Sequence, residues 1–108
     1  MKKYVINILP FAEDDLFEIV TYFKDINPEV SKNIYMKIKG RINSLVEFPE
    51  KGSLVPELEK QGFLKYRQLI EGNYRIIYSI LEDSVFIHLI VDSRRNLETI
   101  LIKKLQRV

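Results

Sequence analysis

Apolar and polar positions along this 108-residue chain follow three successive periods. From Lys3 to Leu9, Tyr4, Ile6 and Ile8 alternate with Val5, Asn7 and Leu9, and β-branched residues dominate. This reads as a strand with apolar contact on both faces near its middle, ended by Pro10. The period then lengthens: Ala12, Leu16, Ile19 and Phe23 recur at spacings of four, three and four, which is one stripe of a helix over roughly residues 11–25. Glu13, Asp14 and Asp15 fall in its first turn, where the helix dipole favours negative charge. Asn27-Pro28-Glu29 is a second start signal, with Asn as cap and Pro at the first helical position. Val30, Ile34, Ile38, Ile42 and Leu45 then share one face, Lys32, Lys39 and Arg41 the other, and Phe48-Pro49 closes the helix. So short a connection makes the two helices an antiparallel hairpin.

Residues 49–62, with Gly52, Pro56 and Gly62 among polar neighbours, form a long connection with room for a helical turn at Glu57 to Lys60. The period next falls to two. Segments Phe63–Ile70, Tyr74–Leu81 and Val85–Asp92 are separated by Glu71-Gly72-Asn73 and Glu82-Asp83-Ser84, each read as a three-residue hairpin connection, so they form an antiparallel meander. Leu97, Leu101 and Leu105 predict a short C-terminal helix. Parity assigns Tyr74, Ile76, Tyr78 and Ile80, together with Val85, Ile87, Leu89 and Val91, to the face under the helix hairpin. The opposite, uncovered face is expected to carry Lys65, Arg67 and Leu69, then Arg75, Ile77 and Ser79, then Phe86, His88, Ile90 and Asp92. The fold class is α+β, in the order β-α-α-β-β-β-α, as one domain over residues 1–108.

Composition narrows the chemistry. With no Cys there is no disulfide framework, thiolate nucleophile or zinc ribbon, and a single His disfavours a His-based metal cluster or a Ser-His-Asp triad. No metal or other cofactor is expected. The N-terminus does not read as a signal peptide, no apolar run reaches the roughly 18 residues of a membrane span, and the default location is cytoplasmic. The net charge of +2 conceals an asymmetry. Residues 1–59 hold 8 Lys+Arg against 10 Asp+Glu, and residues 60–108 hold 9 against 5. Five of the six Arg, at 67, 75, 94, 95 and 107, lie in the second part, which suggests a surface for an anion or an acidic partner.

Several motifs occur in a telling order: Ala12-x-x-Asp15-Leu16-x-x-Ile19-x-x-Tyr22, Phe48-Pro49-x-x-Gly52, Val55-Pro56-Glu57-Leu58, Tyr66-Arg67-x-Leu69, Tyr74-Arg75-Ile76-Ile77-Tyr78 and Val91-Asp92-Ser93-Arg94-Arg95. Together they resemble the RelE/ParE superfamily of toxins from type II toxin–antitoxin systems, over about residues 4–105. The resemblance implies a growth-arresting toxin neutralised by a cognate antitoxin, in a toxin–antitoxin hetero-oligomer. RelE-like members cleave mRNA in the ribosomal A site, and ParE-like members poison DNA gyrase.

The RNA-cleaving reading comes first. Attack of a ribose 2′-hydroxyl on its phosphate needs a base, an acid, and cations for the charged phosphorane, without a metal. Arg suits the cationic role through its bidentate fork. By the resemblance, Arg75 and Arg95 hold the phosphate, with Arg67 or Lys65 assisting and Arg94 beside them. His88 is the residue whose ordinary titration lies near neutral pH, although a lone mid-strand His is more often a sheet-surface residue. RelE-like nucleases usually carry a Tyr or His near the C-terminus, whereas the last Tyr here is Tyr78. That departure keeps two alternatives open, a ParE-like gyrase poison and an inert antitoxin-binding module. Glu57 is read as making a local bond, or as a general base carried by its loop.

Overall fold

The computed structural model describes residues 2–95 and 97–105, and for Leu97, Leu101 and Leu105 the backbone only. The elements are β1 (Val5–Ile8), α1 (Pro10–Ile26), α2 (Pro28–Asn43), a 3-10 turn (Ser44–Val46), β2 (Ser53–Leu54), α3 (Pro56–Glu59), β3 (Tyr66–Glu71), β4 (Tyr74–Leu81), β5 (Ser84–Asp92) and α4 (Leu97–Leu105). They form the α+β fold that the pattern predicts, with a five-stranded sheet in the order β1-β5-β4-β3-β2. β1 lies parallel to β5 and every other pair is antiparallel. Pro10 stops β1 and opens α1 in the same step, since its ring suits a first helical turn and cannot donate to a ladder. Asn27 caps α2, its side-chain oxygen accepting from the Glu29 and Val30 amides at 3.1 and 3.4 Å. The hairpin closes where the Ser31 hydroxyl donates to the Val20 carbonyl.

Both faces of the sheet are covered. The helix hairpin packs Ala12, Leu16, Ile38 and Ile42 onto Leu69, Ile76, Tyr78, Val85, Ile87 and Ile90. On the other side Leu58 of α3, Val55 just before it and Ile102 of α4 meet Tyr66, Ile77, Leu89 and Val91 in a second core. The face expected to be open and basic is therefore covered by α3 and α4.

Two local features shift the predicted parity. The hairpins turn in two residues, not three: Glu71 pairs with Tyr74 across Gly72-Asn73, and Leu81 with Ser84 across Glu82-Asp83. In the first hairpin that one-residue difference turns β3 over. Tyr66, Gln68 and Ile70, rather than Lys65, Arg67 and Leu69, share the face of Ser79, Ile77 and Arg75. In β5 the register passes from Ile77↔Leu89 to Tyr78↔Ile87, so His88 is an extra residue and the alternation resets. Leu89 and Val91 consequently face α3 and α4, while Ile90 and Asp92 face the helix hairpin.

Two sequence motifs meet in the core. The Tyr78 hydroxyl donates to the Pro49 carbonyl at 2.7 Å and accepts from the Gly52 amide at 3.0 Å. A Cβ at Gly52 would stand 2.5 Å from both the Tyr78 hydroxyl and the Gln68 carbonyl oxygen.

Candidate functional site

The predicted cations occupy three separate places. Arg75 is on β4, on the α3 side, and is 8% exposed. Pro56 starts α3 and sets Glu57 over the sheet, where its carboxylate takes the guanidinium bidentately, at 2.6 and 2.8 Å. The Gln68 side-chain oxygen, on the facing strand, accepts from Arg75 Nε at 2.7 Å and also from Nη2. The hydrogen bonds from Arg75 hold Glu57 below its ordinary pKa, against the opposing effect of burial.

Further along the same face, Tyr66 and His88 stack edge to face with ring centroids 5.2 Å apart, and the Lys65 ammonium lies 5.1 Å from the Tyr66 centroid. The bulge turns His88 inward, with Nε2 2.8 Å from the Ser79 hydroxyl and Nδ1 buried without a partner among the described residues. Burial, with the Lys65 charge adding to it, lowers its pKa to about 4. His88 is thus a neutral buried ring at neutral pH.

Arg67 lies on the opposite face from Arg75, at the β2 edge, where it donates to the Gly52 and Glu50 carbonyls at 2.8 and 3.3 Å. Arg94 and Arg95 stand together after β5. Arg94 is chelated by Asp92, with side-chain contacts of 2.9 and 2.6 Å, and these bonds pull the Asp92 pKa down to about 2. Both arginines line a groove of about 770 Å³ between α1 and α4, walled by Ile19, Phe23 and Tyr74. Asp15 is buried at its base, accepting from the Ile90 amide at 2.9 Å and from Lys104 at 3.2 Å. Burial raises its pKa, opposed by those two bonds.

The structure therefore unites Arg94 with Arg95, and Lys65 with His88, and keeps Arg67, Arg75 and Arg95 apart. Sequence reasoning missed Gln68, Asp15 and Lys104. Asp15 carried a signal, as an acid beside the apolar stripe of α1. Arg107 lies outside the described residues, as do the Leu97, Leu101 and Leu105 side chains. Among the described residues no three His, Asp or Glu side chains converge as a metal site, and no helix is long and apolar enough to cross a membrane.

The family model described as the ParE toxin of the type II toxin–antitoxin system, parDE, matches residues 6–97, most of the chain. The chain belongs to the ParE toxin family. Solved structures similar to this ParE-family toxin include a chain of the chromosomal ParDE toxin–antitoxin system from P. aeruginosa, with 17% identity and a TM-score of 0.68, covering 83% of this chain and 96% of that one. Another belongs to the RelBE2 toxin–antitoxin complex from Mycobacterium tuberculosis, with 17% identity and a TM-score of 0.60, covering 85% and 93%. At such identities the likeness is one of fold. No curated protein matches the sequence. The ParE-family chain is the toxin of a RelE/ParE-type module, and a cognate antitoxin is its partner.

Proposed function

We propose that this toxin acts as a ParE-like poison of DNA gyrase, through a binding surface and without nuclease chemistry. The observation that carries this reading is the engagement of Arg75. Its guanidinium is buried and bound by Glu57 and Gln68, so a phosphate reaches it only by exchanging with a carboxylate already held at 2.6 Å. Three other groups named for an RNA-cleaving site are similarly committed. His88 is buried and weakly basic, Arg67 holds backbone carbonyls on the far face, and Arg94 is chelated by Asp92. A gyrase poison needs none of these free. The match to the ParE family points the same way.

The RelE-like alternative would take Glu57 as base and Arg75 as phosphate ligand, which requires their ion pair to open. The discriminating experiment adds the purified toxin to gyrase with supercoiled plasmid, and in parallel to translating ribosomes. The expected result is gyrase-linked linear DNA after detergent and protease, with intact mRNA by primer extension. Codon-positioned mRNA cuts that disappear in Glu57→Gln, with no gyrase-linked breaks, would replace this reading by the nuclease.

A further inference from the structure

The cover that α3 and α4 give their side of the sheet ends at Tyr66 and His88. Ile6, Ile8, Ile80, Val85 and Ile87 turn towards the helix hairpin, so their neighbours in β1, β4 and β5 turn the other way. Two rows cross the sheet there. In one, Leu81 faces Ser84 and Ser84 faces Val5; in the next, Tyr66 faces Ser79, Ser79 faces Phe86 and Phe86 faces Asn7. Phe86 therefore stands diagonally to both Val5 and Leu81. Val5 and Leu81 are 60% and 64% exposed, Phe86 is half-buried, and none of the three belongs to either core. Leu64, 63% exposed, leads into β3 at the same end.

A sheet face left to water ordinarily alternates polar residues outward against the apolar residues of the core. Here the outward positions of three adjacent strands hold Val, Leu and Phe, and a contiguous apolar patch of this kind marks a contact surface. Its rim is cationic. Lys65, at the start of β3, and Lys3, two residues before Val5, have no ion-pair partner among the described residues; Lys2 is matched by Asp83, and Glu82 is the unmatched acid. Two copies of the patch set face to face would place four such lysines against two glutamates. The charge selects instead a partner that brings carboxylates to an apolar contact.

We propose that this uncovered end of the sheet, formed by Val5, Leu81 and Phe86 with Leu64 and Lys65 at its rim, is the surface with which the toxin meets a carboxylate-bearing face of DNA gyrase. This rests on gyrase being the target. The test adds purified toxin to gyrase with supercoiled plasmid and reads the toxin concentration that gives half the maximal gyrase-linked linear DNA. The double variant Val5→Glu, Leu81→Glu is expected to raise that concentration at least about tenfold, and Lys65→Glu about threefold or more, the second effect shrinking at high salt. Met36→Glu, at a residue of α2 as exposed as Val5, is expected to leave it unchanged. Circular dichroism and antitoxin capture of the double variant are expected to match the parent; should it unfold, Lys65→Glu alone decides. Parent-like potency of the folded double variant, or of Lys65→Glu where the double variant unfolds, overturns the surface and leaves gyrase as the target. An equal loss of potency in Met36→Glu overturns the surface as well. Self-association of the parent chain in sedimentation that the double variant abolishes, with its gyrase-linked breaks unchanged, assigns the patch to a second copy. A parent toxin that gives no gyrase-linked DNA overturns the target reading and this inference with it.

Discussion

Tyr78 and His88 lie in neighbouring strands of one sheet and respond to opposite kinds of loss. Tyr78 is fully buried, and its hydroxyl is the partner of both the Pro49 carbonyl and the Gly52 amide. Tyr78→Phe keeps the ring and orphans two backbone groups, so an unfolding free energy lower by about 1–3 kcal/mol is expected from urea titration. Gly52→Ala drives a methyl into that hydroxyl and the Gln68 carbonyl, with an expected loss of about 1–3 kcal/mol by the same measurement. His88 responds to pH. Its folded pKa of about 4 lies below the ordinary 6.5, so the unfolded chain binds the proton first. Stability attributable to His88 is complete above pH 6.5 and declines as the pH falls towards 4, by at most about 3 kcal/mol. His88→Gln should flatten the urea midpoint between pH 7 and 5 relative to the parent; an unchanged slope would place the dependence elsewhere.

At the scale of elements the sequence was legible wherever a period ran for several turns or pleats. Both helices, the middle strand and the C-terminal helix stand where apolar spacing and the Pro and Asn signals put them. Faces were less legible, because they depend on single residues at the ends of strands. Whether Glu71 belongs to the turn or to the ladder decides the orientation of Arg67, and apolar residues on both sides of β3 and β5 conceal the answer. Likewise nothing in Val85–Asp92 marks His88 as a bulge, since every residue around it suits either face. The site inherited these errors: Arg75 was identified as a central cation, but its company of Gln68 follows from the register and that of Glu57 from the seat of α3 over the sheet. The second hairpin offers a direct test of turn chemistry. Glu82 has φ 55°, the left-handed region that favours glycine. Glu82→Gly should raise thermal stability, by about 0.5–1 kcal/mol, because relief of the side-chain clash outweighs the added freedom of the unfolded chain.

The molecule as a whole is a flat body of 39 × 36 × 21 Å in which one sheet divides two cores. α4 closes the second core, and its Lys104 reaches round to the buried Asp15 of α1, tying the two sides together. Lys104→Ala should lower stability by about 1–2 kcal/mol at pH 7, the value reduced for the partial exposure of Lys104. Burial holds the Asp15 pKa above its ordinary 3.8, so the penalty should shrink as the pH falls through that raised value, when a protonated Asp15 no longer needs the ammonium. Urea titrations of both chains at pH 7 and pH 4 check the sign. The parallel pairing of β1 with β5 reaches beyond equilibrium stability. Val5 lies against Ser84, 79 residues later, and closing a loop of that length costs about 4 kcal/mol of chain entropy before any contact offsets it. On a ribosome adding about 5–20 residues each second, the first strand therefore waits several seconds for its neighbour to be made. Until then the first core lacks Val85, Ile87 and Ile90, and the growing polypeptide has no native form in which to be toxic.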